Sequence, residues 1–195
     1  MSDTWRVFCA IDLPKDLKQK LAIHLEQLKK ETGVKAGWTR PDNIHLTIKF
    51  LGNMPVSSVR KLSQAAAQAV KSLAPFKLTA ELCGSFPVHG PPRVLWIGIT
   101  DSSAHLGRLY ERLEEECKAL GFPRETRPFH PHLTLARIRH AANARALGAA
   151  HRALDFQPSE FEVTELLVIR SELGKGGSKY TTVSTHLLDK SHQRT

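Results

Sequence analysis

The chain has 195 residues, 41% hydrophobic and 24% charged, the make-up of a globular protein long enough to bury a core. No apolar run approaches the roughly 18 residues that span a bilayer, and Cys9, Cys83 and Cys117 are too few and too scattered for a disulfide framework or a zinc ribbon. The net charge of +9 suits a polyanionic partner without specifying one.

In chain order, Val7 to Asp12 reads as a buried strand, and Pro14 suits the first turn of a helix. Leu17, Leu21, Leu25 and Leu28 recur at helical spacing, and Gly33 can cap the end. Gly37 to Asp42 is a loop carrying Trp38 and Arg40. An apolar strand, Asn43 to Phe50, follows and stops at Gly52-Asn53. Pro55 to Leu73 reads as a helix with Val59, Leu62, Ala66 and Val70 inward. Phe76 to Phe86 and Arg93 to Thr100 are strands around a Pro- and Gly-rich turn. Ser103 to Leu120 is a helix, and Arg124 to Phe129 a basic loop. Pro131 to Ala136 is a strand, and Ala141 to Leu154 a helix. Phe161 to Arg170 and Tyr180 to Leu188 are strands joined by a glycine-rich hairpin, Gly174 to Lys179, which lacks the spacing of a phosphate-cradling loop. The tail after Asp189 reads as frayed and disordered. The N-terminus has no basic segment leading into an apolar run, so no secretory signal is expected, and the unpaired cysteines fit a reducing cytoplasm.

His-Leu-Thr occurs twice, at His45-Leu46-Thr47 and His132-Leu133-Thr134, a little under half the chain apart. Arg6-Val7-Phe8 and Arg93-Val94-Leu95 open the preceding strands. Phe76-Lys77-Leu78-Thr79 and Phe161-Glu162-Val163-Thr164 come after the motifs. The order strand, helix, His-Leu-Thr strand, helix, strand thus appears twice. Two copies are too few for a solenoid. They predict an α+β fold: residues 1–195 as a single two-lobed domain with pseudo-twofold, duplicated antiparallel-sheet lobes, outer helices and a central cleft.

Side chains alternate across a strand. Ile44, Leu46, Ile48 and Phe50 are therefore expected on one face, with His45 and Thr47 on the other. His132 and Thr134 likewise oppose Leu133 and Leu135. Two such strands face to face offer two imidazoles and two hydroxyls. That set suits a phosphodiester, with one ring taking a proton while the other gives one and the threonines holding phosphate oxygens. Spacing does not say which histidine is acid and which is base. His130 shares the face of His132 and, with His45, would complete a three-histidine metal set, but no fourth ligand or adjoining carboxylate is evident. By alternation Arg137 belongs with Leu133 and Leu135, reaching a phosphate only if the strand bends. Trp38, Phe129 and Tyr180 are candidates either to stack on a base or to pack under a loop. Arg40, Arg124 and Arg127 are candidates to hold an RNA tail.

The strings His45-Leu46-Thr47-Ile48-Lys49-Phe50-Leu51-Gly52 and Phe129-His130-Pro131-His132-Leu133-Thr134-Leu135-Ala136-Arg137 resemble the two signatures of the two-histidine (2H) phosphoesterases. Within that superfamily, Trp38 and Arg93-Val94-Leu95-Trp96 make the chain similar to the prokaryotic RNA 2′,3′-cyclic phosphodiesterases, also called 2′-5′ RNA ligases. The resemblance implies a bilobal α+β fold with facing motifs. It implies metal-independent hydrolysis of an RNA or nucleotide 2′,3′-cyclic phosphate to a 2′-phosphate. No cofactor, no membrane and no protein partner are expected. It also implies that His45 is the proton donor, His132 the proton acceptor, and Thr47 and Thr134 the phosphate ligands. A reverse 2′-5′ ligation would follow from microscopic reversibility. Two rivals remain: a metal-dependent phosphohydrolase using His45, His130 and His132, and a non-catalytic RNA-binding protein.

Overall fold

The computed structural model describes residues 3–139, 144–174 and 177–189. In chain order the elements are β1 (Thr4–Ile11), α1 (Lys15–Thr32), β2 (Gly37–Trp38), β3 (Leu46–Pro55), α2 (Val59–Val70), β4 (Phe76–Phe86), β5 (Val94–Thr100), α3 (His105–Ala119), β6 (His132–Arg137), α4 (Ala144–Leu154), β7 (Ser159–Val163), β8 (Glu165–Gly174) and β9 (Gly177–Leu187). The leucine stripe predicted for α1 is fully buried, and Gly33 ends that helix in the left-handed conformation, donating its N–H to the Lys29 carbonyl.

Among the described residues nine strands form one antiparallel sheet in the order β7-β4-β5-β6-β3-β1-β8-β9, with β2 beside β6. The fold is α+β. The two central strands, β3 and β6, meet only at Leu46 and Leu133. This thin seam divides the sheet into two groups of matching plan, β6-β5-β4-β7 and β3-β1-β8-β9. The helices obey the same approximate twofold: α1 packs on α4 and α3 on α2, while α4 lies against β4 and α2 against β8. Their apolar stripes and the buried face of the sheet enclose the core.

Several expectations need correction. Phe161 to Arg170 is not one strand. It divides at Thr164, because β7 pairs with β4 at one edge while β8 pairs with β1 and β9 in the other half, and one continuous strand could not reach both places. The strings beginning at Phe76 and Phe161 are therefore not equivalent repeat positions, since they pair with each other. The first His-Leu-Thr strand runs past Gly52 to Pro55, shortening the helix expected from Pro55. The start of the helix expected from Ala141, the centre of the glycine-rich hairpin and the tail after residue 189 lie outside the described residues.

The most consequential departure is in the alternation itself. Across β1 and β3 the register steps from Cys9–Lys49 to Ala10–Thr47, so Ile48 is an extra residue. Across β5 and β6 it steps from Leu95–Ala136 to Trp96–Thr134, so Leu135 is extra. Each is a β-bulge immediately after a motif threonine, and each reverses the in-and-out parity of the residues beyond it. Ile48 and Lys49 both turn into the core, and Phe50 emerges on the histidine face with 47% exposure. Leu135 and Ala136 are likewise both buried, and Arg137 emerges in the same way.

Candidate functional site

Because β3 and β6 are antiparallel with Leu46 opposite Leu133, His45 lies across from Thr134 and Thr47 across from His132. Two cavities meet along this line. One, of about 580 Å³, is lined by His132 together with Phe86, Tyr110, Phe129 and His130. The other, of about 370 Å³, is lined by His45, Phe8 and Tyr180 and by Arg6 and Arg139. Thr47, Thr134, Phe50 and Arg137 border both.

The two histidines are held alike. His45 Nδ1 lies 2.8 Å from the Asn43 carbonyl, and His132 Nδ1 lies 2.6 Å from the His130 carbonyl. A carbonyl only accepts, so each Nδ1 carries the proton and each Nε2 is left for a ligand. Aromatic rings fix the imidazole planes. Phe8 stacks on His45 at 4.7 Å and Tyr180 meets it edge-on at 5.3 Å. Phe86 meets His132 edge-on at 5.1 Å, with Trp96 behind. Asn43 Nδ2 also donates to the Ser178 carbonyl, tying the β8–β9 hairpin that carries Tyr180 to the first motif.

Burial in this apolar surround pushes both imidazoles below their ordinary pKa; the carbonyl bonds oppose that shift. Arg137 lowers His132 further, and a charge on His132 disfavours one on His45. Behind the cleft, Lys49 forms a buried ion pair with Glu114 at 2.6 Å and also donates to the Pro123 carbonyl. Glu114 accepts in turn from the Glu125 N–H. This network fastens the loop carrying Arg127, Phe129 and His130 to β3.

Of the sequence candidates, His45, His132, Thr47, Thr134, Phe129, Tyr180 and Arg137 come together around the cleft. Trp38 and Arg40 do not. The ring of Trp38 packs on the core beside β6 and under Lys29, and Arg40 stands exposed before a 3₁₀ turn. Arg124 is engaged by Glu111 and Glu115, and Arg127 by Glu125. His130 reaches the cleft rim, but it acts on His132 through its backbone, and among the described residues His45, His130 and His132 do not converge their ring nitrogens as a metal set. Sequence reasoning missed Phe8, Phe50, Phe86, Arg6 and Arg139. Phe50 was hidden by the bulge. Phe8 and Arg6 share the string Arg6-Val7-Phe8, whose alternation was a usable signal.

Residues 16–175 match the 2′-5′ RNA ligase superfamily. The chain is 30% identical to the RNA 2′,3′-cyclic phosphodiesterase of Methanocaldococcus jannaschii, over 91% of this chain and 98% of that one. It is 31% identical to the protein of the same name from Archaeoglobus fulgidus, over 90% and 96%. The crystal structure of Escherichia coli LigT complexed with 3′-AMP is similar with a TM-score of 0.72 and 27% identity, covering 95% of this chain and 99% of that one. With the family matched over residues 16–175 and relatives matched over nearly their whole length, the chain belongs to the 2′-5′ RNA ligase superfamily.

Proposed function

We propose that the chain hydrolyses a terminal 2′,3′-cyclic phosphate on RNA or a nucleotide to a 2′-phosphate, without a metal ion. The observation that carries this reading is the pair of carbonyl-anchored imidazoles lying diagonally across the seam, each with Nε2 available and a threonine opposite. Neutral His132 takes a proton from water as the water oxygen attacks phosphorus. Protonated His45 gives its proton to the departing 3′-oxygen as the P–O3′ bond breaks. Thr47 and Thr134 donate to the non-bridging oxygens, and Arg137 offsets their charge where the two cavities meet. The aromatic side of the cleft, with Phe129 stacked on Tyr110 at 4.2 Å, suits the terminal base, and the side bearing Arg6 and Arg139 suits the phosphodiester tail. In reverse, a 5′-hydroxyl takes the place of water as the nucleophile, giving 2′-5′ ligation.

Among the described residues no helix is long and apolar enough to cross a membrane. Cys9, Cys83 and Cys117 are free thiols, which supports a cytoplasmic location. The deciding experiment is incubation with a 2′,3′-cyclic nucleotide in excess chelator, with the product isomer read by phosphorus NMR. A 2′-phosphate is expected. A 3′-phosphate would overturn the assignment of the leaving group, and loss of turnover in chelator would overturn metal independence.

A further inference from the structure

Away from the cleft, His24 on α1, His151 on α4 and Cys83 on β4 bring their ligand atoms within 4.8 Å of one another. Both histidines are buried, and Cys83 is half-buried. His24 Nε2 lies 3.1 Å from His151 Nδ1, and His151 Nε2 lies 3.0 Å from the Trp96 carbonyl. The Trp96 carbonyl only accepts, so His151 Nε2 carries that ring's proton and His151 Nδ1 keeps its lone pair toward His24 and the thiol.

We propose that His24 Nε2, His151 Nδ1 and Cys83 Sγ bind a Zn²⁺ ion, with water in the fourth position. With Zn–N bonds of about 2.0–2.1 Å, two nitrogens of a tetrahedral centre stand about 3.3 Å apart, close to the separation present. His151 already gives its other nitrogen to the Trp96 carbonyl, the outer bond that orients a metal-bound histidine. Imidazole with thiolate is a donor set suited to zinc. The Asp155 carboxylate acts on both His24 and Cys83 and favours a cation there, while Arg152 beside His151 opposes it. Burial holds the Cys83 thiol up at about 12, so binding expels its proton to solvent as the S–Zn bond forms. The ion would join α1 and α4 to β4, the strand whose end carries Phe86 against His132. The proposal is independent of the reaction assigned to the cleft.

The test uses the full chain, first freed of metal with chelator and then titrated with Co²⁺. One equivalent should produce a thiolate-to-cobalt charge-transfer band and the visible bands of tetrahedral cobalt. The cleft cannot supply that signal, because no cysteine lines it. The band should vanish in Cys83→Ser and weaken in His24→Gln. Zinc at about 100 times its Kd should raise Tm of the wild type by roughly 5–10 °C. Its affinity should rise about tenfold per pH unit as the thiol proton is released. A wild type that gives no charge-transfer band and no zinc-dependent Tm would overturn the proposal, as would a band that persists in Cys83→Ser.

Discussion

An imidazole serves as an acid or a base according to which nitrogen holds the proton and how readily the ring is charged. His45 and His132 answer the first question identically, each through a carbonyl two residues back. Their roles must therefore differ through substrate and surroundings rather than tautomer. His45→Ala and His132→Ala should each lower kcat by roughly 10²–10⁴ while far-UV circular dichroism and Tm stay near wild type. Near-full activity in either variant would sink the paired mechanism. The same two rings set the pH dependence. In the free enzyme, kcat/KM rises as the base His132 loses its proton and falls as the acid His45 loses its own. Burial lowers both values, so both limbs move to the acid side of 6.5 and the optimum lies below it. A bound phosphodiester anion favours the protonated His45, so the falling limb of kcat should lie at higher pH than that of kcat/KM. Steady-state kinetics from about pH 4.5 to 9 would check this, and coincident limbs would remove the electrostatic coupling between phosphate and His45.

At the level of elements, periodicity made the helices and most strands legible, because a 3.6-residue or two-residue repeat is a local property of the chain. The motif histidines and threonines were legible for the same reason. The bulges at Ile48 and Leu135 were not, since an extra residue is defined only against the neighbouring strand. They decide that Phe50 and Arg137 face the cleft and that Lys49 goes inward. The division at Thr164 was hidden for a similar reason: two strands separated by one residue look continuous until their partners are known. The buried Lys49 pairs with Glu114 on α3, and removal of one partner leaves an uncompensated charge with little access to water. Glu114→Gln should therefore cost about 3–5 kcal/mol in urea unfolding, whereas the double variant Lys49→Met/Glu114→Leu should recover most of that loss. The single variant should also raise KM more than it lowers kcat, because the loop bearing Phe129 loses its anchor on β3. A stability change below about 1 kcal/mol would mean the pair is more solvated than its 3% and 1% exposures imply.

At the scale of the whole molecule, the net charge of +9 says less about RNA binding than the distribution of its unpaired members does. Arg124 and Arg127 stand in a basic stretch of sequence, yet both guanidinium groups are held by glutamates. Arg127 in turn holds the Glu125 carboxyl down at about 2, so that carboxylate stays charged across the working pH range. Arg6, Arg137 and Arg139, by contrast, converge on one side of the seam from β1, the end of β6 and the residue two beyond it, with Arg6 resting 4.6 Å above the Phe50 ring. A single-stranded tail leaving the cleft on that side would meet three cations, and the phosphates they neutralise would release their condensed counterions. Oligonucleotide affinity should then fall with salt at a slope of about −0.7 per phosphate contact, while a cyclic mononucleotide shows a much shallower dependence. Arg139→Gln should reduce the oligonucleotide slope by about one contact and leave mononucleotide turnover unchanged. Arg124→Gln should change neither. Binding and turnover of both substrates across a salt series would separate these cases. Equal slopes for the two substrates would place the tail away from this face, and a lower slope in Arg124→Gln than in Arg139→Gln would place it along the opposite rim, over the loop that Lys49 and Glu114 hold down.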